Sequence, residues 1–175
     1  MNTDIRAELK PIETLELVDQ VAAWLAAKEN AQWLDFGDGQ KTVTPAWVKI
    51  VARSPRHILR VFTSDTGEPI GVAALGTIDH TFKTATLWFV LGDKRYARCG
   101  YTTRAAAEIV RAGFLEMGLH AINTWTVEGN PSVNIIRRLH FRAVGRQRQC
   151  HWIDGSPRDR LLFDILAAEH SQEAP

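Results

Sequence analysis

Tyr96-Ala97-Arg98-Cys99-Gly100-Tyr101-Thr102-Thr103 decides how this chain is read. An apolar run, Leu87-Trp88-Phe89-Val90-Leu91, precedes it, and a helical pattern opens near Thr102. The segment is therefore a tight loop between a strand and a helix N-terminus. The first N–H groups of a helix have no partner within the helix, and the aligned peptide dipoles favour negative charge there. Arg95, Arg98 and Arg104 add positive charge around the same turn. A backbone so arranged is a candidate cradle for a pyrophosphate. The same letters also describe an ordinary strand-to-helix turn with solvated arginines, because short glycine motifs are common.

Outward from that loop, the pattern gives mixed secondary structure. Ile5 to Leu9 reads as a short strand, and Leu15 to Lys28 as an amphipathic helix with Val18, Val21, Ala22 and Leu25 at helical spacing. Gly37-Asp38-Gly39-Gln40 is a loop, and Thr44-Pro45 pairs an N-cap with a first-turn proline ahead of a helix carrying Trp47, Val48 and Val51. Ser54-Pro55 ends it. Strands follow at Ile58 to Phe62 and Ile70 to Ile78, with a breaker-rich turn between them, and at Thr84 to Leu91. After the loop, a helix turns Ala106, Ile109, Val110, Gly113, Phe114 and Met117 to one side, and Gly118 caps its end.

Ala121 to Val127 is a strand, Asn130-Pro131 starts a short helix, and Val144 to Ile153 and Arg160 to Ile165 are strands joined by a turn. The order β-α-α-β-β-β-α-β-α-β-β predicts a mixed α/β fold. Its sheet is mostly antiparallel, flanked by about four helices, with one parallel, right-handed crossover from Thr84 to Val127. A strand pair that splays at that crossover leaves a slot of the kind ligands favour. Residues 1–170 read as a single domain, and the polar stretch 171–175 as a frayed tail.

Composition narrows the function. The chain has 175 residues and a formal net charge of +1, which does not suggest non-specific nucleic-acid binding. No apolar run approaches the roughly 20 residues needed to span a bilayer. The opening Met1-Asn2-Thr3-Asp4-Ile5-Arg6 lacks the apolar core of a secretory signal, so the expected compartment is the cytoplasm. Cys99 and Cys150 read as free thiols, and the six histidines show no metal-ligand spacing, so no metal is expected.

Three motifs in order resemble the GCN5-related N-acetyltransferases. They are Gly100-Tyr101-Thr102-Thr103-Arg104-Ala105, then Asn130-Pro131-Ser132 followed by Leu139-His140-Phe141-Arg142-Ala143-Val144-Gly145, and then the closing strands with His151-Trp152-Ile153-Asp154-Gly155 and Asp159. The last set looks like the subgroup that includes the ribosomal-protein N-terminal acetyltransferases. The resemblance covers about Ile5 to Leu166. It implies acetyl-CoA as donor and a primary amine, on a protein N-terminus or on a small molecule such as an amino sugar, as acceptor. It also implies direct transfer by a monomer or homodimer, with no nucleic acid or membrane as partner. By the same resemblance, pantetheine lies along Trp88, Phe89, Val90 and Leu91. The pyrophosphate lies on Arg98, Cys99, Gly100, Tyr101, Thr102 and Thr103, and Asn130 and Ser132 border the pantetheine.

The chain departs from the family pattern in places. Ala97 and Arg98 stand where the loop usually opens with a polar residue and a glycine, leaving a single glycine, Gly100. Ile136 falls where many relatives carry a tyrosine acid, and His140 replaces a glycine. The strand stretch Thr86-Leu87-Trp88 lacks the glutamate that others use. Direct transfer still needs a base, because amines are mostly protonated at neutral pH. Glu128 at the end of a strand is the candidate carboxylate, with Asp79 and His80 as a candidate proton-shuttling pair. Each also reads as a plain loop charge. Of the six tryptophans most should lie in the core, with Trp33 and Phe36 offering an aromatic wall beside the acceptor. The altered loop and the absent tyrosine leave a second reading open, an acyl-CoA-binding module without catalysis.

Overall fold

A computed structural model describes residues 7–35 and 43–172. Seven strands form one sheet in the order β1-β2-β3-β4-β5-β7-β6. They are β1 (Leu9–Pro11), β2 (Ile58–Thr63), β3 (Pro69–Asp79), β4 (Thr84–Leu91), β5 (Ala121–Val127), β6 (Arg142–Ile153) and β7 (Ser156–Leu166). All neighbours are antiparallel except β4 and β5, the parallel pair expected from the crossover. The helices are α1 (Leu15–Ala26), α2 (Lys28–Ala31), α3 (Pro45–Arg53), α4 (Tyr101–Leu115), α5 (Val133–Arg138) and α6 (Ala167–Gln172).

Two short helices were not expected. α2 is a single turn and α6 adds a turn and a half after β7, and neither is long enough for a helical period to show. The helix that reads as one segment to Lys28 breaks at Ala27, whose φ of −60° and ψ of 129° leave the helical region. Residues beyond the break carry the chain toward the cleft. The first strand begins at Leu9, and the part of the expected strand before residue 7 lies outside the described residues, as do the 37–40 loop and Phe36.

Local chemistry sets the boundaries. Thr44 accepts the Trp47 N–H at 3.2 Å and Pro45 occupies the first turn, so α3 starts where the N-cap signal places it. Thr14 caps α1 in the same way through the Leu17 N–H. The sheet separates two apolar layers. On one face α1 and α3 bury Val21, Leu25 and Val48 against Leu59, Val61, Val72 and Ala74. On the other, α4 buries Ala105, Ile109 and Phe114 against Ala73, Leu75, Leu87 and Ile122. Burying each Val, Leu, Ile or Phe side chain contributes about 1.5–3 kcal/mol. The layers thus fix both helices of one face and the long helix of the other around β3 and β4.

The tryptophans depart from expectation. None is fully buried: Trp152 is 66% exposed, and the other five are partly exposed. Trp24 closes against Gly92, where a Cβ would stand 2.1 Å from the indole. The remaining four line the cleft described next.

Candidate active site

The parallel β4–β5 ladder runs only from Thr84↔Ala121 to Thr86↔Asn123 among the described residues. Beyond it the strands diverge. The Leu87 carbonyl, which a continuing ladder would occupy, instead accepts a bond from Thr124 Oγ1 at 2.9 Å, and both residues are buried. A side chain thereby satisfies the last interior carbonyl at the fork. From Trp88 to Leu91, β4 lines a cleft of about 990 Å³ that passes between the strands.

At one end the cleft meets the N-terminus of α4. Gly100 is the N-cap residue, with φ of 91° and no side-chain cap, and space around its Cβ position is open within 4 Å. The Arg104 N–H closes onto Gly100 O, so the N–H groups before it lie ahead of the intrahelical ladder. Arg98 takes a φ of 65°, the left-handed conformation natural to glycine. Arg98, where the family resemblance places a glycine, thus holds a left-handed loop path at a cost of about 1–2 kcal/mol. His140, with φ of 62°, does the same after α5.

The loop is held from behind. Tyr101 donates to Asp65 at 2.8 Å and Tyr96 to Glu68 at 3.0 Å, tying the loop to the β2–β3 turn. The bond to Asp65 is the main cause that raises the Tyr101 pKa. Asp93 accepts from the Arg95 side chain and backbone, which pull its carboxyl below the usual range. Lys94 Nζ reaches Asn30 Oδ1 and, at 2.6 Å, Leu91 O. Burial pulls the Lys94 pKa down, against an opposing influence from Glu29.

Of the residues expected around the donor, Trp88, Phe89, Val90, Leu91, Arg98, Gly100, Thr102, Thr103, Asn130 and Ser132 all line this cleft. Cys99 and Tyr101 are not among the lining residues: Cys99 is exposed, and Tyr101 turns into the core. Asn130 Oδ1 accepts the Ser132 N–H at 2.9 Å, and Ser132 Oγ pairs with Thr126 Oγ1 at 2.8 Å. That chain of bonds fixes the wall opposite β4. Ile136 is buried at the cleft wall and offers no proton there.

The three candidate proton carriers stand elsewhere. Asp79 accepts the backbone N–H groups of Thr81 and Phe82 at 2.8 and 2.9 Å, and the Phe82 bond is the main cause that lowers its pKa. Its carboxylate is a turn cap. His80 is exposed, with Nε2 on Pro55 O. Glu128 is exposed beside Arg146 at 3.5 Å. None of the three lines the cleft.

At the other end the cleft is aromatic. Trp33, Trp47, Trp88 and Trp125 line it, together with Glu29, Asp35, His57 and Thr77. His57 was not singled out in the sequence, although Ser54-x-x-His57 places a hydroxyl within local reach. His57 Nδ1 lies 3.2 Å from Ser54 Oγ. Burial, and secondarily the charge of Arg56, lower its pKa and so favour the neutral ring. The segment after α2 is fastened from the far end of the chain. His151 Nε2 donates to Gln32 O at 2.7 Å, and Arg160 pairs with Asp35 at 2.8 Å while its guanidinium lies 4.1 Å over the Trp125 ring. His151 is buried and Cys150 exposed, as their alternation along β6 requires.

A splayed sheet, an open β4 edge and an uncapped helix N-terminus along one cleft coincide with a family match. The acetyltransferase (GNAT) domain family matches the sequence over residues 6–142. The chain belongs to the GNAT acetyltransferases. Solved GNAT structures superpose over almost its full length. A spermidine N-acetyltransferase from Vibrio cholerae, bound to CoA and spermine, matches with a TM-score of 0.80 at 15% identity, over 97% of this chain and 99% of that one. A probable acetyltransferase matches with a TM-score of 0.74 at 20% identity, over 96% of each chain. A probable GNAT acetyltransferase from Chromobacterium violaceum matches with a TM-score of 0.75 at 17% identity, over 94% of this chain and 90% of that one. At these identities the likeness carries the GNAT fold. No curated protein matches the sequence. Among the described residues no group of three or more His, Cys, Asp or Glu is placed to hold a metal, and no helix is long and apolar enough to cross a membrane.

Proposed function

We propose that the protein transfers the acetyl group of acetyl-CoA directly to a primary amine. One observation carries this reading: the open β4 edge from Trp88 to Leu91 and the N-terminus of α4 line a single continuous cleft. An extended ligand bearing amides suits the strand edge, by the same main-chain bonding that lets peptides add to sheets. Its phosphates suit the helix end, with Arg98, Thr102 and Thr103 around them. Asn130 and Ser132 border the pantetheine on the far wall. Bound there, acetyl-CoA supplies an activated acyl group, and the protein's task is to hold an amine beside it.

The acceptor half of the cleft favours an amine joined to an apolar or flat body. Trp33, Trp47 and Trp88 give such a body its contacts, while Asp35 is paired with Arg160, whose guanidinium covers Trp125, and Glu29 faces Lys94. An ammonium group gains from such aromatic faces. The subgroup that acetylates protein N-termini and the polyamine acetylases of the same fold are both served by this chemistry. A peptide amine and spermidine therefore head the acceptor screen.

Calorimetric titration with acetyl-CoA, with free CoA as control, tests the donor half. Thiol release on adding an amine tests the transfer. Ile136 in the tyrosine's place favours a second reading, a module that binds acyl-CoA without transferring it. Binding without thiol release, over a broad amine panel, selects that module. Absence of binding removes both readings.

A further inference from the structure

His57 stands in the acceptor half of the cleft because of register. Ile58 pairs with Leu75, so His57 comes opposite Gly76, and Gly76 in turn pairs with Thr86. The absence of a side chain at Gly76 is what lets two rings converge. A Cβ there would stand 3.3 Å from Trp88 Nε1, 3.4 Å from His57 Cδ2 and 3.7 Å from His57 Nε2. His57 and Trp88 thus flank one gap in the cleft wall.

The next residue is strained. Thr77 has a φ of 48°, inside a register shift of β3 between Gly76 and Asp79. A β-branched residue is rarely left-handed, and such strain collects at functional sites. Bulges of this kind re-aim a side chain. Here the bulge turns Thr77 toward Thr86, at 2.9 Å, on the cleft wall. Thr86 Oγ1 donates its one proton to Asn123 Oδ1 at 2.8 Å. Thr77 must then donate to Thr86, which leaves the Thr77 oxygen with lone pairs only. It can accept an N–H and cannot compete for a nitrogen lone pair.

On the reading that the protein acetylates an amine, we propose that Thr77 and His57 seat the acceptor nitrogen beside Trp88 and that His57 is the general base. Thr77 Oγ1 accepts one N–H of the amine. His57, in the tautomer whose Nδ1–H donates to Ser54 Oγ, offers Nε2 to a second. As the nitrogen lone pair bonds to the thioester carbonyl carbon and the carbon–sulfur bond breaks, the amine proton passes to His57 Nε2. The sulfur leaves with the bonding pair, and a proton returns to it from His57 or solvent. Amide and free thiol result, with no oxidant or metal required. A thiol of ordinary pKa near 8.5 leaves readily, which suits a site with Ile136 and no tyrosine acid. Among titratable groups, Arg56 adjoins the imidazole, and His80 reaches Pro55 O on the same turn.

The test uses the full-length protein, wild type and His57→Gln, with acetyl-CoA and three probe amines: benzylamine, spermidine and a Ser-Ala dipeptide amide. Acetyl-CoA affinity is measured first by calorimetry, since loss of binding in the wild type defeats the underlying transferase reading. With binding intact, wild type is expected to release thiol with at least one probe. At saturating amine kcat should fall with acid, because the neutral imidazole is the active form. His57→Gln should lower kcat about 100- to 1,000-fold, within the usual range for a lost general base, and remove the acid limb while leaving acetyl-CoA affinity unchanged. The imidazole Cε1–H resonance missing from the variant should titrate below pH 6.5 in the free wild type. Three results overturn the proposal: an unchanged acid limb in His57→Gln, a loss of rate under tenfold, or donor binding by the wild type with no transfer to any probe. Thr77→Val, which keeps shape and removes the acceptor oxygen, should raise amine KM more than it lowers kcat. An effect confined to kcat removes Thr77 from the seat.

Discussion

The two ends of the cleft are built from differently distributed parts of the chain. The end at the α4 N-terminus draws on two stretches, Leu87 to Thr103 from β4 and the loop after it, and Asn130 to Arg138 around α5. The aromatic end gathers Trp33 from beyond α1, Trp47 from α3, His57 before β2 and Thr77 from a bulge in β3, around Trp88 of β4 and Trp125 of β5. The first is dominated by backbone groups, which any sequence supplies once the loop path is right. The second is dominated by side chains, whose identity decides what binds. A fold that keeps its donor while changing its acceptor would be expected to divide its site along this line.

Variants at each end can break that division. The largest effect is expected from Gly100→Trp, which places a ring where the space is open and forces a left-handed φ on a bulky residue. Acetyl-CoA affinity should fall at least about 100-fold, close to 2.7 kcal/mol; calorimetry that finds unchanged affinity separates the loop from donor binding altogether. Next is Thr124→Val at the fork. It leaves the buried Leu87 carbonyl without its partner, which costs about 1–3 kcal/mol. Thermal unfolding should shift down by roughly 2–4 °C per kcal/mol for a chain of this size. Gly76→Ala is smaller and specific to the aromatic end. Its Cβ crowds both Trp88 and His57, so turnover should drop about tenfold, or 1.4 kcal/mol, with acetyl-CoA affinity unchanged. A matching loss of donor affinity would show the ends to be coupled. Smallest is Arg98→Gly, which relieves a left-handed residue and should raise stability by about 1 kcal/mol while acetyl-CoA still binds.

The division also explains what could be read in advance. Features set by neighbours in sequence were legible. Thr44 and Pro45 announced α3, Gly100 announced the turn into α4, and Thr84 to Leu91 and Ala121 to Val127 emerged as strands with those bounds. The parallel crossover followed from their order, and the cleft followed from the crossover. Features set by register across strands were not legible. Nothing local in Gly76-Thr77-Ile78 signals a bulge, and the nearness of His57 to Trp88 depends on two ladders at once. The same limit applies to the candidate proton carriers: Asp79 caps backbone N–H groups and Glu128 faces Arg146, partners that neither residue's neighbours in sequence announce. Arg98 and His140 stand where the family resemblance places glycines, and both take the left-handed angle that a glycine would.

The fastenings of the aromatic end have a consequence for how the protein is made. Gln32 is held by His151 and Lys28 by Asp154, across 119 and 126 positions of chain, and Asp35 is held by Arg160. During synthesis the segment carrying Trp33 leaves the ribosome long before the hairpin that pins it. The stretches that form the other end are complete by Arg138. A nascent chain therefore has every residue of the α4 end before it has the clasp of the aromatic end, and that clasp is the last part of the cleft to be assembled.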